Sequence, residues 1–147
     1  MLSMNYRRLV RSSAIYDLVA TAAFATPWTF GIIHQLLGQL TPLPPFVPLH
    51  VLFANLLGSI VVVWSALRVW NPQPIFGLFD SIARGLFFIW QLYYLVVMGG
   101  SPIVWFFAIP ELLFGLAQGY GFWLLHKVHA GSPTNCKIVR YFATVLS

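Results

Sequence analysis

A chain of 147 residues that is 59% hydrophobic, 17% aromatic and only 7% charged cannot clothe itself in the polar surface of a water-soluble domain, which carries about 25% charged residues. Its net charge of +5 comes from eight Lys and Arg against three Asp and Glu. These lie at the ends of apolar stretches, a distribution that sets membrane topology and meets anionic lipid headgroups and does not indicate a nucleic-acid partner. The single cysteine, Cys136, excludes an intramolecular disulfide and a cysteine-built metal cage.

Arg7, Arg8 and Arg11 precede the first apolar stretch, residues 14–37, which is long enough to cross a bilayer as a helix. Its start imitates a secretory leader, with Ala23-Phe24-Ala25 in the place of a cleavage site. Asp17 inside the run, and hydrophobicity that continues well past Ala25, count against cleavage. Residues 38–48 hold Pro42, Pro44, Pro45 and Pro48 and read as an extended connection. The second span is 49–69. Asn71-Pro72-Gln73-Pro74 then breaks the chain before a short interfacial segment, and the third span is 81–99. Gly99-Gly100-Ser101-Pro102 makes a tight hairpin, so the third span and the fourth, 103–125, are expected to be antiparallel neighbours.

The expected fold is therefore all-α, a polytopic integral membrane protein with four transmembrane helices in one bundle over 1–128. In the tail, 129–147, Ile138, Val139, Phe142, Val145 and Leu146 share a helical face. The 138–146 stretch thus reads as an interfacial amphipathic helix, or else as a disordered end. Arg68 and Arg84 flank the second loop, and Lys127, Lys137 and Arg140 follow the last span. All eight basic residues fall on one side, which places both termini in the cytoplasm of a multi-pass protein of a bacterial inner membrane. Asymmetry this complete disfavours an antiparallel, dual-topology dimer.

Polar side chains inside spans are expensive in lipid and so mark candidate sites. Each span carries one polar or small stripe: Asp17, Thr21, Phe24 and Trp28; Asn55, Ser59 and Ala66 with Gly58 beside them; Asp80, Arg84 and Gln91; Glu111, Gly115, Gln118 and Phe122. Together they describe a bundle with a partly polar interior. Gly115 and Gly119 form a G-x-x-x-G pair that admits another helix closely. Pro110 removes one backbone hydrogen bond just before Glu111 and is a candidate kink. Glu111 reads either as a hydrogen-bond partner of Asn55 or Gln91 across the bundle, or as a ligand or proton site. At 1.5 Å per residue, Thr29, Asn55, Gln91 and Glu111 come to similar depth, with Trp28 and Trp90 beside them. That setting suits a molecule with an apolar body and a polar head, such as a quinone, isoprenoid or lipid; aromatic core packing is the plain alternative. Asp17, Asp80 and Arg84 read as a structural clamp between the first and third spans. His34 and His50 flank the proline-rich connection and are two weak metal-ligand candidates without a third, so no metal and no resident cofactor is expected beyond a possible quinone or lipid. His126 and His129 at the end of the last span suit the helix dipole and anionic headgroups.

The four-span plan with a tight final hairpin resembles DoxX-like and sterol-isomerase-like membrane bundles, a likeness of architecture that carries no residue roles. No motif for a zinc protease, a serine hydrolase or a phosphate-cradling loop is present, so the sequence leans away from an enzyme. Three readings follow: an accessory or assembly component bound to other membrane protein chains, or to itself, through the last helix; a binder of, or enzyme on, an amphipathic small molecule around Glu111; and a proton-coupled exporter acting as a parallel oligomer.

Overall fold

The structure is a computed structural model that describes residues 2–130; the amphipathic stretch expected at 138–146 lies outside the described residues. The described residues form helices joined by short connections, with no strand. In chain order they form α1 (Leu2–Thr21), a 3-10 turn (Ala22–Phe24), α2 (Pro27–Leu40), α3 (Pro48–Trp70), α4 (Pro74–Val96), a second 3-10 turn (Pro102–Val104) and α5 (Trp105–Ala130). Three helical segments are long and apolar enough to cross a membrane: Pro48–Trp70, Pro74–Val96 and Pro102–Val128.

Proline sets most of the boundaries. Pro27, Pro48 and Pro74 each open a helix, where a fixed φ is pre-organised and the missing N–H would lack a partner anyway. Two expectations change as a result. The 14–37 stretch is not one helix: it is interrupted at 22–26, where Thr26 caps α2 by accepting a hydrogen bond from the Thr29 backbone N–H at 3.2 Å. The segment after Pro74 is no separate interfacial piece but the first turns of α4, so the third span begins seven residues earlier than 81. Pro110 sits inside α5 without ending it.

α1 begins well before the apolar run. Tyr6, Val10, Ser13, Ala14 and Asp17 recur at helical spacing and are all buried, while Arg7, Arg8 and Arg11 lie on the exposed side. Tyr6 is seated in a notch formed by two glycines: a Cβ on Gly77 or on Gly121 would strike its ring or hydroxyl. Its hydroxyl donates to the Gln118 carbonyl at 2.9 Å. Tyr6→Phe is expected to lower stability by about 0.5–1.5 kcal/mol. Thermal unfolding of the detergent-solubilised protein measures this, and an unchanged midpoint would show that the bond is not formed.

The helices pack as two pairs. α3 lies on α1, and α4 lies on α5 over the most extensive interface in the fold. The hairpin between α4 and α5 is as expected: Gly99 adopts φ 61°, the left-handed region that glycine enters without cost, and the Gly100 N–H donates to the Tyr94 carbonyl at 3.0 Å. Gly115 and Gly119 face α4, where Ser81 Oγ donates to the Gly115 carbonyl at 2.7 Å and a Cβ on Gly119 would lie 2.8 Å from Ser81 Oγ. The G-x-x-x-G face is thus filled within the chain.

Consecutive though they are, α3 and α4 have almost no backbone contact. The start of α1 lies beside the α3–α4 turn, where Arg7, Arg8 and Arg11 line a groove with Trp70 and Asn71. The end of α2 reaches the opposite end of the bundle, where Thr41 Oγ1 meets Ser101 Oγ at 3.3 Å. The interrupted α1–α2 path therefore runs the length of the fold.

Candidate functional site

The centre of the fold holds five charged side chains. Arg84, the eleventh of the 23 residues of α4, meets a carboxylate with each of its three nitrogens. Nε donates to Asp80 Oδ2 at 3.0 Å, Nη1 to Glu111 Oε2 at 2.8 Å and Nη2 to Asp17 Oδ1 at 2.6 Å. Arg68, fully buried near the end of α3, pairs with Asp17 through Nη2 and with Asp80 through Nη1. Ser13 stitches the set together, accepting from Arg84 Nη2 at 2.8 Å and donating to Asp80 Oδ2 at 3.1 Å. Trp64 Nε1 donates to Asp80 Oδ1 at 3.1 Å, and Ser65 Oγ accepts from Arg68 Nη2 at 3.1 Å. Aromatic faces complete the enclosure, with the Arg68 guanidinium carbon 5.4 Å from the Trp64 ring centre and that of Arg84 5.2 Å from the Phe114 ring centre.

Helical periodicity explains why these residues converge. Asp80 and Arg84 are one turn apart on α4, and Trp64, Ser65 and Arg68 share one face of α3. Ser13 and Asp17 occupy the buried stripe of α1. The arrangement corrects the basic-residue count: Arg68 and Arg84 do not flank a cytoplasmic loop but are consumed in the interior. Among the described residues, the cations left at that end of the fold are Arg7, Arg8, Arg11 and Lys127, the last 3.9 Å above the Trp123 ring.

One wall of the cluster opens on a cavity of about 810 Å³ lying between α3 and α4, closed behind by the end of α1 and its 3-10 turn. Asp17, Asp80, Arg84 and Glu111 form its polar wall. Apolar and aromatic side chains, among them Leu57, Ile60, Trp64, Phe87, Trp90 and Phe107, form the rest. Ile60 is 67% and Trp90 66% exposed, so the cavity is open on the side where α3 and α4 fail to meet.

The structure sorts the residues singled out from sequence. Glu111, Asp17, Asp80 and Arg84 are brought together, with Gln91 and Trp90 on the same cavity. The Asp17–Asp80–Arg84 clamp exists, enlarged by Glu111, Arg68 and Ser13. Glu111 does not bond across to Asn55 or Gln91, because Arg84 is within reach and carries the stronger, charge-assisted interaction. Asn55 Nδ2 instead donates to the Phe24 carbonyl at 2.8 Å and ties α3 to the interruption after α1. Thr29 belongs to the cap of α2, and Trp28 is 79% exposed beside it. Gln118 is fully buried against α1, away from the cavity lining, with neither side-chain amide atom hydrogen-bonded. His34 stacks on Phe30 and approaches the Pro44 carbonyl at 3.3 Å, while Phe46 contacts both His34 and His50 edge-on. Among the described residues no group of three or more His, Cys, Asp and Glu side chains is arranged to hold a metal ion.

Two participants went unread in the sequence. Arg68 stands two residues from the end of α3, where a basic residue ordinarily reaches out to headgroups. The signal against that was Trp64 and Ser65 one turn earlier, which give its face an aromatic and a hydroxyl instead of open lipid. Ser13 lay outside the apolar stretch altogether. Compared with known proteins, the chain matches no family model, no curated sequence and no solved structure.

Proposed function

We propose that this chain is a membrane protein that crosses four times and holds an amphipathic small molecule, such as a quinone, an isoprenoid or another lipid, in the cavity between α3 and α4. One observation carries the reading: a cavity of about 810 Å³, apolar over most of its wall and charged at one end. Binding pockets for small molecules are apolar with a few convergent polar groups, and 300–1,000 Å³ is their usual range. The open side faces where lipid would lie, so a ligand with an apolar body would enter laterally from the bilayer.

The interrupted α1–α2 path supplies the fourth crossing, since it starts beside the α3–α4 turn and ends beside the α4–α5 hairpin. Arg7, Arg8, Arg11 and Lys127 at one end support, by the positive-inside rule, a reading with both termini on the cytoplasmic side of a bacterial inner membrane. The reading as an accessory component loses ground, because the face meant for a partner helix is occupied by α4. We assign no reaction to the site.

Native mass spectrometry of the gently extracted protein tests the proposal. A small amphipathic molecule at one copy per chain is expected, and it should disappear when Ala54→Phe fills the cavity that Ala54 lines. A stoichiometric partner protein with no small molecule, in wild type and variant alike, would overturn it and favour the accessory reading.

A further inference from the structure

We propose that the ligand's head is cationic, an apolar chain ending in a protonated amine. The inference rests on the reading that the cavity holds an amphipathic molecule, and it follows from counting charges on the polar wall. Three carboxyls, Asp17, Asp80 and Glu111, face two guanidiniums, Arg68 and Arg84, which leaves the cluster with one formal negative charge in excess. All three acids line the cavity, whereas of the two cations only Arg84 does. Arg84 already meets a carboxylate with each nitrogen, so an anionic head must displace one of them. Glu111 meets Arg84 through Oε2. Gln91, on the same lining, has its buried Oε1 without a hydrogen-bond partner. That open position is an acceptor, and an ammonium group is a pure donor with three N–H bonds. Charge and hydrogen-bonding capacity therefore select the same head. A phosphate or carboxylate head meets like charge, and Arg84, the cation on the lining, already has a carboxylate on each nitrogen.

The experiment uses the full chain in nanodiscs of zwitterionic lipid and three probes of equal length. Each has a brominated chain, which quenches tryptophan on contact, and ends in a primary amine, an alcohol or a carboxylic acid. Trp64 and Trp90 line the cavity and report entry. The amine is expected to quench saturably at a concentration on the order of tenfold below that of the alcohol or the acid. Glu111→Gln keeps an acceptor for Arg84 and removes the surplus charge, so it should erase the amine's advantage over the alcohol. Ala54→Phe should abolish saturable quenching by all three. An acid or alcohol that binds as tightly as the amine would overturn the cationic head; equality with the alcohol would show that a proton, not a ligand, balances the cluster. Absence of saturable quenching by every probe in the wild type would sink the cavity reading itself, and this inference with it.

Discussion

Arg84→Met is expected to be the most damaging single substitution in the chain, lowering stability by about 3–5 kcal/mol, the range for breaking a buried ion pair by removing one partner. Three carboxylates, Asp17, Asp80 and Glu111, would be left around Arg68 as their single remaining cation. Arg84→Lys should recover little of the loss. Lysine has one nitrogen on a flexible stem, whereas Arg84 engages three carboxylates from three nitrogens in a planar fork. A double variant that also carries Glu111→Gln removes one orphaned charge and should regain part of the stability, because directly coupled residues do not behave additively. Thermal unfolding in mild detergent, followed by intrinsic fluorescence, measures all three. An Arg84→Met midpoint equal to wild type would mean that the cluster is not formed in the folded protein.

Gly58→Ala is expected to follow, at about 1–3 kcal/mol. A Cβ there would stand 2.6 Å from the Phe24 carbonyl carbon and 2.8 Å from both the Ala25 nitrogen and the Phe24 oxygen. All three are backbone atoms, so no side chain can swing aside, and α3 must move away from the interruption after α1. The same movement pulls on the Asn55–Phe24 hydrogen bond and distorts the cavity, which Phe24 and Gly58 both line. Gly85→Ala is the matched control. It lies in α4 with open space around it, and the better helix former should leave stability unchanged or raise it. Equal losses at the two positions would show that helix flexibility, not close approach, is what Gly58 provides.

The three long helices could be read from hydrophobicity alone, because runs of about 20 apolar residues leave few alternatives. The interruption in the first stretch was written in Thr26-Pro27, a capping residue followed by proline at the first helical position. A window averaged over 14–37 conceals it, since Trp28, Phe30 and Ile32 resume the apolar character at once. The start of α4 was missed for a related reason. In the sequence Pro74 reads as the end of a break, although proline opens a helix as readily as it stops one. Within the site, helical spacing found Asp80 with Arg84 and pointed Asp17 at them, because those relations lie within one helix or at matching depth. It did not find Glu111 joining them. That pairing depends on which faces of α4 and α5 meet, which is decided by Ser81 packing on Gly115. Equal depth also drew in Thr29, which the capping of α2 holds elsewhere.

The distribution of charge among the helices has a consequence for how the chain is made. α4 enters the bilayer with Asp80 and Arg84 already one turn apart and able to neutralise each other. α3 has no acid between Pro48 and Trp70 to do the same for Arg68, and an arginine drawn into a span without a counterion is costly. Its first counterion is Asp17 on α1, which packs against α3 and leaves the ribosome before it. Order of synthesis therefore supplies the anion before the cation needs it. A rearranged gene that moved residues 2–40 to the far end of the chain would keep every contact in the finished fold, yet deliver α3 to the membrane with its charge unanswered.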